Sequence, residues 1–312
     1  FSYLCMDKKK DMQKPDALTS GDTVMIVSPA SVIDVSLIEG AERVLAGWGL
    51  KVVRGKYCEG HCGSFSGTIE ERLYDFREAL LNPEVKAIIC SRGGYGAVHL
   101  LSLIDPELIN RNPKWMIGFS DISALHAAFL SAGVMSLHAS MCKHLTEEPV
   151  DHPVTCLIRD ILFGTMPGYV VPGHQLNRPG GAEGVLCGGN LAVLCGLLRT
   201  PYDIFQRGRI LFVEDIAEKP YKLERMFYNL KLSGILKELS GLIVGQFTEY
   251  EEDPGLGYTV YEMISDMVKE YDYPVCFGFP AGHVCNNYPL IEGAFVNYSV
   301  TNKSVMLNFV GK

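Results

Sequence analysis

Short apolar runs alternate with amphipathic stretches through the first half of the chain. Thr23–Val27 is a β-branched apolar run that ends at Ser28-Pro29-Ala30-Ser31. Ser36 to Trp48 carries apolar residues at helical spacing, and Lys51-Val52-Val53 is a short strand. Thr68 to Leu81 predicts a helix, with Thr68 as N-cap and Glu71 at capping-box distance. Lys86–Cys90 is a strand, followed by a helix from Tyr95 or Gly96 to about Leu103. Trp115–Gly118 is another strand and leads through Phe119-Ser120-Asp121 into a helical run. Strands that alternate with helices predict a parallel sheet covered on both faces. Ligands of such sheets bind beyond the carboxyl ends of the strands. The loops Ser28–Ser31, Ser91–Gly96 and Gly118–Asp121 are therefore expected to converge.

Residues 147–183 break this rhythm. They are rich in Pro, Gly and His, only Cys156 to Phe163 looks helical, and the segment reads as a linker. Beyond it, Gly184–Cys187, Arg209–Val213 and Gly241–Gly245 are strand-like, Tyr221–Leu232 and Tyr258–Tyr271 are helical, and short strands follow Pro274. The expected fold class is α/β. An N-terminal parallel-sheet domain of Rossmann or flavodoxin-like type covers 14–146. A C-terminal mixed α/β domain with β-hairpins covers 184–312.

Composition narrows the function classes. The 312 residues are 47% hydrophobic and 21% charged, as expected of a globular protein with a large core. The net charge is −8 and the basic residues are scattered, so no nucleic-acid partner is expected. Lys8-Lys9-Lys10 reads as a solvated tail, and Phe1–Met6 is too short and lacks the basic flank of a signal peptide. No apolar run reaches the roughly 18 residues that would cross a bilayer, so no membrane partner is expected. Ten cysteines lie in a chain with ordinary core segments, and Cys90, Cys187, Cys195 and Cys276 sit in apolar surroundings. This suits reduced thiols and a cytoplasmic setting. Cys58, His61 and Cys62 lack a second Cys/His pair at zinc spacing, so no metal and no cofactor is expected.

Four segments could carry chemistry. Ser120 stands at a strand-to-helix turn, where it is either a nucleophile or a helix cap. Ser91-Arg92-Gly93-Gly94-Tyr95-Gly96 could turn backbone N–H groups toward an oxyanion, or be a tight turn. Glu214 and Asp215 end an apolar strand, where a carboxylate could orient a histidine or merely begin a solvated loop. His283 lies in a Gly/Pro-rich turn, as a base or as a surface residue. Serine needs a histidine to remove its proton, and a carboxylate fixes that histidine's tautomer. The chain order Ser…Glu…His is that of α/β-hydrolases, but Ile122 replaces the second glycine of their G-x-S-x-G elbow.

Lys114–His126, around Gly118-Phe119-Ser120-Asp121, resembles the nucleophile segment of the LD-carboxypeptidase family of serine peptidases. That family includes murein tetrapeptide LD-carboxypeptidases and microcin C7 self-immunity proteins. Ser20–Thr23 with Val27–Ser31, the Arg92–Gly96 loop, Leu211–Asp215 with Tyr221–Arg225, and Phe277–His283 resemble four further family segments, in order. The resemblance runs from about residue 14 to the C-terminus. It implies a catalytic triad of Ser120, Glu214 and His283, with an oxyanion hole from the N–H groups of Gly94 and Asp121. It also implies Arg92 and Arg225 as candidates for the substrate's free carboxylate, release of terminal D-Ala from murein tetrapeptide, and a homodimer. Leu137-His138-Ala139-Ser140 departs from the family's His-Gly-Pro, so His138 is expected to be structural. Lys222 stands where arginine is common. A microcin-type peptidase acting on a peptidyl or aminoacyl nucleotide is the closer alternative, disfavoured because Trp48 and Trp115 both lie in the N-terminal half. A non-catalytic peptide-binding protein is the other alternative.

Overall fold

The computed structural model describes residues 12–311, so the tail at Lys8–Lys10 and the segment Phe1–Met6 lie outside the described residues. The first half runs β1 (Thr23–Val27), α1 (Val35–Gly47), β2 (Lys51–Arg54), α2 (Ile69–Leu81), β3 (Val85–Cys90), α3 (Pro106–Arg111), β4 (Trp115–Gly118), α4 (Ser123–Ala132), β5 (Ser136–His138) and α5 (Cys142–Glu147). Then come α6 (Pro153–Leu162), β6 (Gly168–Pro172), β7 (Gly180–Asn190), α7 (Leu191–Gly196), β8 (Ile210–Ile216), α8 (Pro220–Leu232), α9 (Ile235–Glu238) and β9 (Gly241–Thr248). The chain ends with α10 (Val260–Met267), β10 (Val275–Cys276), β11 (Leu290–Glu292), β12 (Phe295–Val300) and β13 (Ser304–Phe309).

These strands form two mixed sheets, as the α/β pattern predicts. The first has the order β11-β5-β4-β3-β1-β2, all parallel except β11. Its β2-β1-β3-β4-β5 portion is the flavodoxin-like order, which reverses direction between β1 and β3. The second has the order β10-β9-β8-β7-β12-β13-β6; β10 to β7 are parallel and β12, β13 and β6 antiparallel. The runs at 210–215 and 241–245 are buried throughout, as strands covered on both faces must be.

Local signals explain most of these elements. Thr68 caps α2 in a capping box closed by Glu71. The stretch expected as a helix from 95 or 96 is instead a 3-10 helix over 97–103, entered through Gly96 at φ +122°. The segment expected as a linker holds α6 and β6. In β6, Tyr169 and Val171 point inward at period two, and Pro172 ends an outermost strand where its missing N–H is tolerated. One strand crosses back: Leu290–Glu292 extends the first sheet antiparallel to β5.

The sheets share their packing. Phe119, Ile122 and Leu125 lie in one buried cluster with Leu211 and Val213, while Trp115 and Leu137 lie in another with Phe212 and Ile243. Polar pins cross as well. Asn190 N–H donates to Ser123 Oγ (3.0 Å), and Gly188 N–H donates to Glu292 Oε2 (2.8 Å). Burial raises the Glu292 carboxyl from 4.5 to about 8. Between those values the unfolded chain ionises Glu292 and the folded chain does not, so stability falls as pH rises. The slope is up to about 1.4 kcal/mol per pH unit for this one group. Denaturant titrations at pH 5 and pH 8 should show a smaller loss for Glu292→Gln than for the unsubstituted protein.

Candidate active site

Ser120 has φ +65°, a conformation a residue with a side chain rarely adopts. The turn arises because β4, buried at all four positions, ends at Gly118 and a 3-10 turn over 120–122 starts at once. The cap at Phe119 makes no side-chain bond, and neither does the one at Ile122. Ser120 therefore does not cap the helix. Its Oγ instead lies 2.9 Å from His283 Nε2, and His283 Nδ1 lies 2.7 Å from Glu214 Oε2. Glu214 is fully buried and its other oxygen, Oε1, is unpartnered. A carboxylate only accepts, so Nδ1 carries the ring proton and Nε2 accepts from the serine hydroxyl.

The two neighbouring acids part ways. The β8–β9 register shifts between Val213 and Asp215, a bulge that re-aims consecutive side chains. Glu214 meets His283. Asp215 turns to the start of α7, accepting from Asn190 Nδ2 (3.0 Å), Ala192 N–H (2.9 Å) and Ile216 N–H (2.8 Å). Burial lifts Asp215 to about 6 despite those bonds.

The three loops meet at the carboxyl ends of β1, β3 and β4. Ser91 Oγ–H donates to Ser28 Oγ (2.7 Å), whose own proton goes to the Cys58 carbonyl. Ser31 N–H donates to the Gly93 carbonyl. A side chain on Gly93 would come within 3.0 Å of Ser120 Cβ and 3.2 Å of the Asp121 nitrogen, so glycine is what lets this loop touch the serine turn. Gly94 has φ +94° and packs on Ser31. The Asp121 carboxylate accepts from Ala97 N–H (2.8 Å), tying the serine turn to the glycine loop. Burial raises its pKa.

The arginine candidates are not brought together by any contact. Arg92 is exposed, and its Nη1 donates to the Val32 carbonyl (2.9 Å). Arg225 is exposed on α8, stacked 5.6 Å over the Tyr221 ring, and among the described residues forms no ion pair. His138 is buried with both ring nitrogens unpartnered, packed on Phe119 and Phe212. Burial and the neighbouring imidazoles hold its pKa well below the usual histidine value.

Sequence reasoning missed the supports. Arg72 is buried on α2 and donates to the carbonyls of Gly67, Pro29 and Gly96, bracing two of the three loops. Nothing in the helical pattern around residue 72 marks it, because the Pro29 and Gly96 carbonyls it reaches belong to distant loops. Asn287 Oδ1 accepts from Gly282 N–H (2.9 Å) and Gln246 donates to the carbonyls of Gly278 and Phe279, so these two hold the His283 turn. His126 Nε2–H donates to the Gly118 carbonyl (2.9 Å) and Nδ1 accepts from Ser136, a neutral core histidine depressed by burial to about 4. Arg72→Ala leaves three carbonyls without this donor. It should cost about 3 kcal/mol in urea unfolding and lower kcat more than KM if the glycine loop serves the reaction.

Residues 24–139 match the LD-carboxypeptidase N-terminal domain, and residues 183–297 match the LD-carboxypeptidase C-terminal domain. A probable murein peptide carboxypeptidase of Bacillus subtilis is 34% identical, over 94% of this chain and 94% of that protein. The microcin C7 self-immunity protein MccF of Escherichia coli is 28% identical, over 93% of this chain and 94% of that protein. The solved structure of muramoyltetrapeptide carboxypeptidase from Oxalobacter formigenes superposes with a TM-score of 0.83 at 30% identity, over 93% of this chain and 99% of that one. This two-sheet α/β chain is thus of the peptidase class. It belongs to the LD-carboxypeptidase family.

Proposed function

We propose that this protein is a serine carboxypeptidase that releases terminal D-Ala from murein tetrapeptide by cutting the amide after its L-centred diamino acid. The observation that carries the reading is the continuous path from Ser120 Oγ through His283 to buried Glu214. Ser120 attacks the amide carbonyl while His283 Nε2 takes its proton. His283 then gives that proton to the leaving amine. Water hydrolyses the resulting acyl-enzyme with His283 again as base. Glu214 holds the tautomer that keeps Nε2 free to accept. The N–H groups of Asp121 and Gly94 hold the oxyanion, donors typically worth about 3–4 kcal/mol each. Arg92 and Arg225 are proposed to meet the free carboxylate of the terminal D-Ala.

The substrate rests on the names borne by the Bacillus and Oxalobacter relatives. Incubation with murein tetrapeptide should release D-Ala, detected by mass. Absence of D-Ala together with fluorophosphonate labelling of Ser120 would keep the peptidase and reject the substrate. Failure of both would favour a peptide-binding protein.

One observation favours the microcin-type reading. Tyr221, Tyr228 and Tyr258 are each exposed in the C-terminal half, where a nucleobase has aromatic rings to meet that the tryptophans do not provide. Cleavage of an aminoacyl sulfamoyl adenosine in preference to the tetrapeptide would establish it. A cytoplasmic setting is proposed from the nine described cysteines, all free. Light scattering on the purified chain checks the homodimer.

A further inference from the structure

Two residues past His283, the chain places an exposed thiol against a second cluster. Cys285 Sγ lies 3.2 Å from Glu148 Oε1 and 3.6 Å from His152 Nε2, and Glu148 Oε2 lies 4.0 Å from the same nitrogen. All three donor atoms fall within 4.8 Å of one another. Glu148 is the C-cap of α5 and His152 the N-cap of α6, and the turn between them is closed by His152 N–H donating to the Pro149 carbonyl. That turn fixes the carboxylate and the imidazole on one side. Both are mostly shielded, with side-chain exposures of 27% and 14%.

We propose that Glu148, His152 and Cys285 form a binding site for a zinc-class divalent cation, with a fourth position open to water. Thiolate, imidazole and carboxylate are the three ligand types zinc takes. Zn–S of about 2.3 Å and Zn–N or Zn–O of about 2.0–2.1 Å at tetrahedral angles set donor–donor edges of about 3.3–3.6 Å. The Cys285–His152 edge and the Cys285–Glu148 edge to Oε1 are close to that. His152 lies 4.0 Å from the other oxygen, Oε2, so the Glu148 carboxylate must rotate to bring one oxygen to both partners. On binding, Cys285 loses its thiol proton to solvent, a metal–sulfur bond forms, and the cation sheds bound waters. His152 must present a lone pair at Nε2, so its ring proton moves to Nδ1. The bond that Nδ1 accepts from Val154 N–H, at 3.3 Å, is then given up. This opposes binding, but a metal–thiolate bond outweighs one long capping bond.

The three residues escape sequence reading because Cys285 stands 133 positions from His152. The site lies outside the catalytic path, yet it would clamp the loop that carries His283 to the α5–α6 turn of the other half. A metal-dependent stiffening of that loop follows.

The test is cobalt titration of the full chain after chelator treatment. One saturating equivalent should give a thiolate-to-cobalt charge-transfer band and intense tetrahedral ligand-field bands, with zinc displacing cobalt. Cys285→Ser should abolish the charge-transfer band. His152→Gln and Glu148→Gln should each weaken binding at least about 10–100-fold, the loss already seen for outer-shell partners. Cys62→Ser, which removes the other exposed thiol among the described residues, should leave the spectrum intact. Far-ultraviolet dichroism establishes that each variant is folded. A charge-transfer band that survives in folded Cys285→Ser would overturn the proposal, as would no saturable binding by the unsubstituted chain.

Discussion

Ser120→Ala is expected to lower kcat for D-Ala release by about 10⁴–10⁶-fold, with KM changed only a few-fold. The hydroxyl is the atom that His283 faces at 2.9 Å, and no other hydroxyl is hydrogen-bonded to that ring among the described residues. A helix cap would behave differently. Its loss would cost about 0.5–2 kcal/mol of stability and have little effect on rate. Here the bonds run the other way, since the Ser120 hydroxyl caps no helix N–H and the residue sits at φ +65°. Alanine keeps the same Cβ and the same strain, so Ser120→Ala should unfold at nearly the unsubstituted denaturant concentration. Ser120→Gly should be more stable by about 1 kcal/mol, because glycine occupies that region freely. Inactivity joined to unchanged or higher stability separates a strained nucleophile from a structural serine. Residual D-Ala release within tenfold of the unsubstituted rate would remove Ser120 from the proposed mechanism.

Four of the six strands of the first sheet were legible, because short apolar runs such as Thr23–Val27 and Lys86–Cys90 end at Ser, Pro and Gly; three-residue β5 was too short to show a pattern. The convergence of their loops followed from parallel topology alone. Composition misled at 147–183, where Pro and Gly suggested a linker while Tyr169 and Val171 carried the period-two pattern of an edge strand. Leu290–Glu292 could not be assigned to the first sheet from local pattern, since only the free edge of β5 selects it. The site candidates were readable one at a time as turn residues. The bulge that separates Glu214 from Asp215 was not, because register belongs to the pairing of β8 with β9 and leaves no mark in either strand. Arg72 and Asn287 were hidden for a similar reason: each bonds backbone groups of loops, which any sequence would supply.

The joint between halves bears on function. Ser120 follows β4 of the first sheet, whereas Glu214 lies in β8 of the second and His283 follows β10. Their alignment depends on the shared cores and on Ser123, whose Oγ accepts from Asn190 N–H one turn from the nucleophile candidate. Packing mutations far from Ser120 should therefore reach the proposed reaction through the distance between Ser120 and His283.

Glu214→Gln tests that alignment most sharply, and it should lower kcat by about 10⁴-fold. Glutamine matches the volume of the buried carboxyl, so packing is preserved. Its amide, however, can place an N–H against His283 Nδ1 where Oε2 now accepts at 2.7 Å. The ring then gains by moving its proton to Nε2, which faces Ser120 and can no longer take the serine proton. Turning the amide to present its oxygen restores the tautomer but points the NH₂ group into the space beside Oε1, which has no partner. That orientation carries the cost of an unsatisfied buried donor, roughly 1–3 kcal/mol. Glu214→Asp keeps the acceptor but shortens its reach, so it should retain more activity than Glu214→Gln at equal fold stability. A Glu214→Gln enzyme with kcat within tenfold of the unsubstituted protein would mean that the carboxylate does not set the His283 tautomer. The role would then pass to the backbone braces from Asn287 and Gln246, which hold the turn whatever the charge at 214.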